Sequence, residues 1–318
     1  MSKVLVLGGT GFVGRSVCAR LVTRSGGAGD AVTVATRRVP HARRLQLLPT
    51  VDVVRADPHD AAQLAGLVRG CDAVVSLIGI LHGSPAEFQR VHVELPRSLA
   101  RACGAAGVRR VVHLSAIGAD AAAPSNYLRS KAAGEAALKA ARLDLTLLRS
   151  SVIFGEGDRF LNLLAKLQAL SPVLPLGGAN ARFQPVWVED VAAAVVHCLA
   201  DPKTIGQTFE CTGPTVYTLA ELAALAGRWS GHARPILGLP GPLARCQAWL
   251  LEHLPGPTLM SRDNVDSMLV ASVASGRLPG LERLGIRASA LEAIAPAYLG
   301  ADQGVARLDP LRARARRS

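Results

Sequence analysis

Short apolar runs alternate with amphipathic stretches along most of the chain. The runs are rich in valine, leucine and isoleucine, which is typical of strands buried on both faces of a parallel sheet. The stretches between them carry apolar residues at helical spacing. Strict alternation of strand and helix predicts an α/β fold with a doubly wound parallel sheet. The predicted strands are residues 4–7, 31–36, 51–56, 71–79, 108–115, 144–150 and 207–211.

The pattern changes in the second half of the chain. Residues 156–182 form an excursion from the alternating pattern, and beyond Gly213 leucine, alanine and proline dominate. Thr218 with Glu221 three residues later has the spacing of a capping box and predicts a helix over residues 219–229. We therefore expect a smaller, mostly helical C-terminal domain. The predicted division is residues 1–212 for the sheet domain, 213–303 for the small domain and 304–318 for a basic tail.

Three glycines follow the first apolar run and precede a helical pattern. In a dinucleotide site Gly8 makes the tight turn, Gly11 lets the backbone approach a pyrophosphate, and Gly14 allows close packing of helix on strand. The helix N-terminus offers free N–H groups and the positive end of its dipole. A plain glycine turn is the alternative, but the order strand, glycines, helix favours a Rossmann nucleotide site. The residues predicted to contact the cofactor here are Gly8, Thr10, Gly11, Phe12, Val13 and Gly14.

The end of the second predicted strand faces the adenosine ribose in such a fold. An acidic residue there favours NAD, but this strand ends in Arg37 and Arg38, whose guanidinium groups suit a 2′-phosphate. We therefore predict that NADP(H) is favoured over NAD(H), with a solvated loop as the alternative. Asp57 is predicted to accept a hydrogen bond from adenine, although capping of the next helix also explains Asp57 and Asp60. Gly79 ends the fourth predicted strand and is expected to let the cofactor lie close.

Candidate catalytic residues follow the fifth predicted strand. Ser115 ends that strand, at the carboxyl end where such sheets bind ligands. Tyr127 and Lys131 lie four residues apart, on one face of a helix that opens at Asn126. An ammonium beside a phenol is expected to lower the phenol pKa, so that Tyr127 exchanges the proton accompanying hydride transfer at a carbonyl. Ser115 would hold the carbonyl oxygen, and Tyr127 and Lys131 would also bind the cofactor. An ordinary helix surface is the alternative.

Composition narrows the classes of protein. The 318 residues carry a formal net charge of +12, and only 4% are aromatic. A basic chain suits an anionic membrane or an acidic partner, whereas so few aromatics argue against nucleic acid. The six cysteines show no metal-ligand spacing, so no metal site is expected and a reducing compartment is indicated. The first strand begins too early for a signal peptide, so we expect a cytoplasmic protein, or one peripheral at the inner face of a membrane.

On these residues the chain resembles the extended short-chain dehydrogenase/reductase superfamily, which includes NAD-dependent epimerases and dehydratases. The glycine motif, Ser115 and the pair Tyr127 and Lys131 carry that resemblance. The second half resembles more narrowly the NADPH-binding accessory subunit family of respiratory complex I (NADH:ubiquinone oxidoreductase). The match covers the whole chain except the basic tail. Its second-half stretches are residues 155–162, 172–177, 183–191, 213–214, 261–265 and 278–286.

The resemblance implies an NADP(H)-binding protein with oxidoreductase activity linked to quinone or respiratory metabolism. It also implies a membrane surface or a respiratory-complex protein as partner. The complex I members are similar in fold to reductases but hold NADPH without established turnover, so whether this chain is an enzyme stays open. The alternative is a nucleotide-sugar epimerase or dehydratase, or a carbonyl reductase, that uses Ser115, Tyr127 and Lys131.

Two further features leave alternatives open. His92 stands where catalytic members of the superfamily carry an asparagine, and it is either a proton relay or a helix residue packed beneath the cofactor. The apolar stretch at residues 243–254 either packs as part of a helical cap or rests on a membrane or a partner protein. We expect the small domain to cover the nicotinamide end of the cofactor.

Overall fold

The computed structural model describes residues 2–24, 31–253, 255–256 and 258–300, and the predicted basic tail at 304–318 lies outside these described residues. The strands are β1 (Lys3–Leu7), β2 (Ala31–Thr36), β3 (Val51–Arg55), β4 (Ala73–Ser76), β5 (Arg110–Ala116), β6 (Asp144–Ser150), β7 (Ile153–Phe154), β8 (Leu174–Gly177), β9 (Arg182–Phe183), β10 (Val186–Trp187), β11 (Thr208–Cys211), β12 (Tyr217–Thr218) and β13 (Ile236–Leu239). The helices are α1 (Phe12–Arg24), α2 (Ala61–Val68), α3 (Pro85–Phe88), α4 (Leu95–Ala106), α5 (Asn126–Lys139), α6 (Leu161–Leu170), α7 (Val188–Ala200), α8 (Leu219–Trp229), α9 (Gly241–Glu252), α10 (Arg262–Ser267) and α11 (Leu291–Leu299).

A seven-stranded parallel sheet forms the centre of the fold, with strand order β11-β6-β5-β4-β1-β2-β3. Its inner strands are apolar on both faces, as β1 shows, because helices cover the sheet on both sides. The chain moves outward in one direction from β1 through β3 and then in the other direction from β4. That reversal lies between β1 and β4, which is where open α/β sheets bind ligands. The predicted doubly wound parallel sheet is confirmed.

Helix starts follow local capping chemistry. Asp60 caps α2, since its carboxylate accepts a hydrogen bond from the Gln63 N–H at 2.9 Å. Thr218 and Glu221 form the predicted capping box at α8, whose bounds agree with the sequence prediction. The predicted capping role of Asp60 is confirmed. Such caps satisfy N–H groups that the first turn of a helix leaves without partners.

The helical stretch between β4 and β5 is not one continuous helix. α3 runs into a π-helical segment at Gln89–Glu94, and α4 continues from it. The wide turn was not foreseen, because it depends on packing rather than on apolar spacing. It lies against α5 at Gly134, where an added Cβ atom would be 2.0 Å from the His92 carbonyl oxygen. Single π turns inside helices occur often at functional sites.

The chain divides into two compact units. The first combines Met1–Ser151, Val188–Cys211 and Ala274–Arg287. Its sheet is packed under α2 and α4, with a core that includes Leu5, Leu64 and Leu99. The late segment within it lies beside β11, the outermost strand on its side of the sheet. There the Glu210 N–H donates to the Pro279 carbonyl at 2.9 Å, and the Ser275 N–H donates to the Glu210 carboxylate at 2.7 Å.

The second unit combines Val152–Trp187, Thr212–Val273 and Ala288–Ser318. Its core is formed mainly by α6, α8 and α11, together with β8. Gln168 is fully buried there and donates from its amide to the Ala223 carbonyl at 2.7 Å. α9 packs on β8 and α10 through a small separate apolar cluster. Among the helices that the structure describes, none is both long enough and apolar enough to cross a membrane.

Candidate functional site

The glycine-rich turn between β1 and α1 has the geometry of a phosphate cradle. Gly8 has a φ of +87°, which favours glycine, and its carbonyl accepts from the Gly11 N–H at 2.9 Å. A Cβ atom at Gly14 would be 2.2 Å from the Gly8 oxygen, so α1 packs on β1 only without a side chain there. At Gly11 a Cβ would meet only that oxygen, at 3.1 Å. The first turn of α1 carries no acidic residue that would oppose a phosphate.

A cluster of arginines lies at the carboxyl end of β2. Arg37 and Arg38 follow that strand, and the Thr36 hydroxyl fixes the turn by accepting from the Arg38 N–H at 3.3 Å. Arg55 joins them from β3, because Thr36 and Arg55 are partners in the parallel register. These three arginines line a cavity of about 270 Å³ together with Val39 and Pro40. Of the described residues, no carboxylate contributes to its lining.

Arg55 was missed in the sequence, although a signal for it exists. It ends the predicted strand next to the one that ends in Arg37, and parallel neighbours bring such ends together. Asp57 lies two residues further on. Its carboxylate accepts from the His59 N–H at 3.0 Å and its own N–H donates to the Gln63 side chain at 2.9 Å, so it shapes this loop. Its predicted contact with adenine stays a prediction.

His92 connects the loop after β4 with α5. Its Nε2 accepts from the Ile80 N–H at 3.1 Å, next to Gly79, so Nδ1 carries the proton and donates to the Ser130 hydroxyl at 2.8 Å. The Ser130 hydroxyl in turn donates to the Tyr127 carbonyl at 2.7 Å. Burial is the main cause that lowers the pKa of His92 to about 3. Of its two readings, the packed residue therefore fits this geometry better than the proton relay.

The three predicted catalytic residues lie on β5 and α5. Lys131 is buried, and its ammonium donates to the carbonyl of Leu114, the neighbour of Ser115, at 2.8 Å. The Ser115 hydroxyl is buried and has no hydrogen-bond partner among the residues that the structure describes. A buried polar group without a hydrogen bond costs free energy. A ligand oxygen that accepts a hydrogen bond from this hydroxyl would remove that cost. Tyr127 is partly buried, with its ring 5.6 Å from that of His92 in an edge-on contact.

The pKa predicted for Tyr127 is wrong for this structure. Burial raises the pKa of the phenol to about 12, whereas the sequence argument expected Lys131 to lower it. The ammonium of Lys131 is itself desolvated, which lowers its pKa to about 8. A lysine that is costly to charge gives a phenolate less support. The spacing of four residues placed both side chains on one face of α5, but it carried no information on burial.

A polar layer beneath α5 extends this arrangement. Glu135 lies one turn beyond Lys131, is buried, and accepts both hydrogen bonds of a bidentate pair with Arg149, at 2.9 and 2.7 Å. Arg149 is the register partner of Ser115 on the next strand. The ion pair therefore joins the helix that carries Tyr127 to the strands that end at Ser115. Glu135 was not singled out as a site residue, and only its buried pairing with Arg149 distinguishes it from a surface charge.

Comparison with known proteins agrees with this geometry. A profile of NAD(P)H-binding proteins matches residues 8–202. The mouse protein NADH dehydrogenase [ubiquinone] 1 alpha subcomplex subunit 9, mitochondrial, is 32% identical over 297 residues, covering 90% of this chain and 77% of the mouse protein. The chain belongs to the NAD(P)H-binding family and to the family of alpha subcomplex subunit 9. The resemblance predicted from the sequence is confirmed.

One further sequence relative and one solved structure are also similar to this NAD(P)H-binding protein. A ceramide reductase of Caulobacter vibrioides is 30% identical over 240 residues, covering 75% of this chain and 74% of the reductase. The structure of DesIV, a dTDP-glucose 4,6-dehydratase of Streptomyces venezuelae with NAD bound, superimposes with a TM-score of 0.72 at 21% identity. That match covers 93% of this chain and 95% of DesIV. At this identity it shows a shared fold, and the epimerase and dehydratase likeness predicted from the sequence is confirmed at that level.

Proposed function

We propose that this NAD(P)H-binding protein is selective for NADP(H). The arginine cavity at the end of β2 carries the proposal, since Arg37, Arg38 and Arg55 surround a space with no carboxylate of the described chain in its lining. Guanidinium forks suit the dianionic 2′-phosphate, whereas the 2′-hydroxyl of NAD is held best by an acid. The glycine turn would hold the pyrophosphate. The side chain of Tyr127, the ammonium of Lys131 and the backbone at Gly79 would hold the rest of the cofactor.

Isothermal titration with NADPH and NADH tests this selectivity. We expect NADPH to bind at least about tenfold more tightly, because even one charge-assisted contact with phosphate is worth about 1.4 kcal/mol or more. Arg38→Gln should remove much of the preference while leaving NADH affinity nearly unchanged. Arg43→Gln is the matched control, as an exposed arginine of the same loop that does not line the cavity. Equal affinity of the wild type for both nucleotides would refute the proposal.

The second part of the proposed function concerns turnover. A bound nicotinamide supplies a hydride, and the residues of this chain that would serve a carbonyl group are Ser115, Tyr127 and Lys131. The unpartnered Ser115 hydroxyl supports such a role, since it can donate to a carbonyl oxygen. A phenol with a raised pKa supports it less, because proton transfer is most efficient from groups that titrate near the working pH. We therefore propose cofactor binding as the main function of this protein and oxidoreductase activity as the second candidate.

Tyr127→Phe separates binding from turnover. NADPH affinity should change little, because the ring and its packing on His92 remain. If the protein is a reductase, oxidation of NADPH by carbonyl compounds should fall by about two orders of magnitude or more, as expected for loss of a general acid. An activity that is equal in Tyr127→Phe and wild type would exclude Tyr127 as the acid. Epimerase or dehydratase activity on nucleotide sugars is measured on the same pair of proteins.

The partner is proposed from the relatives. The mouse protein and a protein of Neurospora crassa named NADH-ubiquinone oxidoreductase 40 kDa subunit both carry respiratory-complex names. We infer that this chain works beside a respiratory complex, in quinone-linked metabolism. We also infer that it lies on the cytoplasmic side, at the inner face of the membrane that holds the complex. Affinity purification from detergent-solubilised membranes tests the inference. Recovery of NADH:quinone oxidoreductase subunits with the bait is the expected result, and their absence from both bait and membrane fractions would contradict it.

A further inference from the structure

Helix α9 in the second unit packs with its smallest residues inward. Ala244 and Ala248 are 1% and 0% exposed, and they form an apolar cluster with Val265. The approach is close, because an added Cβ atom at Gly177 on β8 would be 2.9 Å from the Ala244 methyl group. Besides these two methyl groups, Gln247 joins α9 to β8 by accepting from the Gly177 N–H at 3.1 Å and donating to the Pro175 carbonyl at 2.8 Å. The helix is thus held while it buries little apolar area of its own. The larger side chains of α9 are therefore available for another role.

Those larger side chains face outward. Leu243 is 55% exposed, Trp249 47% and Leu250 55%. At 100° per residue they fall on the side of the helix opposite to Ala244 and Ala248, together with the exposed Pro242 and Cys246. Leu237 on β13, just before the helix, is also 58% exposed. An amphipathic helix of a soluble domain normally turns such residues to the core, so this apolar face is the reverse of the usual arrangement.

The charges that flank this face are already paired within the unit. Arg245 on α9 forms an ion pair with Asp266 on α10, and Glu252 accepts from the Arg262 guanidinium at 2.9 Å. Over the described part of the second unit, basic and acidic side chains are equal in number, seven of each. The face is thus apolar with compensated charges at its border. It is not itself an electrostatic site.

Charge enters through the chain that follows α11. Residues 301–318, which lie outside the described residues, carry five arginines and two aspartates. An apolar helix face that displays a tryptophan, combined with a basic segment, matches the two signals that hold peripheral proteins on anionic bilayers. A tryptophan ring is particularly suited to the boundary between headgroups and acyl chains.

We propose that the outer face of α9, formed by Leu243, Cys246, Trp249 and Leu250, inserts into the interface of an anionic lipid bilayer. The arginines of residues 301–318 contribute attraction to the headgroups. This inference deepens the membrane location given above and rests on that part of the proposed function. It does not depend on nucleotide binding. The apolar contribution of α9 persists at high salt, whereas the attraction of the arginines is screened.

Sedimentation with phospholipid vesicles containing phosphatidylglycerol tests the proposal. We expect the wild type to bind, and Leu243→Ser with Leu250→Ser to weaken the partition coefficient by about tenfold or more, at low and at high salt. Leu47→Ser is the matched control, since Leu47 is 84% exposed but lies in the first unit. Deletion of residues 304–318 should weaken binding at low salt only. Far-UV circular dichroism of each variant checks that it is folded.

Each outcome decides between occupants of the face. Vesicle binding that the double substitution reduces, while Leu47→Ser does not, supports the bilayer. Binding that is equal in the wild type and the double variant overturns the proposal, as does absence of binding at both salt concentrations. A dimer in sedimentation velocity that the double variant abolishes, without vesicle binding, assigns the face to a second copy of the chain instead. Titration with NADPH on the same samples is a separate readout, so failure of nucleotide selectivity is distinguished from failure of membrane binding.

Discussion

Both ring nitrogens of His92 are used by the fold. Nε2 holds the Ile80 N–H beside Gly79, and Nδ1 holds the Ser130 hydroxyl on α5. A second proton on Nε2 would remove the acceptor for Ile80 and place a charge beside Lys131 in the core. The buried His113, whose Nδ1 lies 3.1 Å from the Ser76 hydroxyl, faces the same cost, and its pKa is also well below its usual value. The neutral His92 thus supports the loop and the helix that form the candidate site, and the neutral His113 joins β5 to β4.

The stability of the protein should depend on pH through His92. Its pKa is lowered from 6.5 to about 3, so the unfolded chain takes up a proton first as the pH falls. The stabilising contribution is complete above pH 6.5 and is lost progressively as the pH falls toward 3. Between pH 6.5 and pH 5 the loss should be about 2 kcal/mol, at about 1.4 kcal/mol per pH unit. Urea unfolding at several pH values measures it.

His92→Asn is the variant that isolates this contribution. An amide retains a hydrogen-bond acceptor and donor but does not titrate, so the free energy of unfolding should fall less steeply below pH 6.5. His253→Asn is the control, because His253 is exposed on the second unit and its substitution should leave the slope unchanged. A His92→Asn protein with the same slope as the wild type would show that His92 does not carry the effect.

At the scale of elements, α5 packs closely on the π-helical segment beside the candidate site. This packing depends on Gly134, whose missing side chain leaves room for the His92 carbonyl. Gly134→Ala should destabilise the protein by about 1–3 kcal/mol, as overpacking of a closely packed site usually does. Gly104→Ala on α4, where an added Cβ meets nothing within 4 Å, should stabilise it by about 0.5–1 kcal/mol. Denaturant unfolding of both variants measures the two changes in the free energy of unfolding. A stabilising effect of Gly134→Ala would contradict this account.

The elements show what apolar spacing can and cannot predict. β6 and α8 were predicted with their observed bounds: β6 has three leucines at its centre between polar end residues, and α8 has an explicit capping box. α7 begins at Val188, because the chain enters the helix directly from β10. The π turn at Gln89–Glu94 has no marker in apolar spacing.

The same contrast holds for the candidate site. The glycine turn and the shared face of Tyr127 and Lys131 follow from residue type and spacing alone. Arg55 and the pair of Glu135 with Arg149 depend on strand register and burial, which sequence spacing does not contain. The direction of the Tyr127 pKa shift was missed for the same reason. Local geometry was therefore predictable, whereas the electrostatics required the packed structure.

At the scale of the whole molecule, nucleotide binding should appear as thermal stabilisation. A ligand at one hundred times its dissociation constant adds about 2.7 kcal/mol to the free energy of unfolding, which raises the Tm by about 5–10 °C for a domain of this size. NADPH should give this shift, and NADH at the same concentration a smaller one. Differential scanning fluorimetry measures both.

Gly11→Val is the control for that shift. The branched side chain would start 3.1 Å from the Gly8 carbonyl oxygen and extend into the space over the turn, so the nucleotide should no longer stabilise the protein. The variant should itself unfold near the temperature of the ligand-free wild type. An undiminished NADPH shift in Gly11→Val would mean that the nucleotide binds elsewhere.

The late segment beside β11 has a consequence for shortened chains. All strands of the central sheet precede residue 212, yet the outer N–H of Glu210 finds its partner only at Pro279, after the chain has passed through residues 212–273 of the second unit. A fragment ending before residue 274 would leave that border strand bare, and bare strands recruit other chains. Truncation there should cause aggregation, visible as light scattering, whereas full-length Ser275→Ala should stay dispersed.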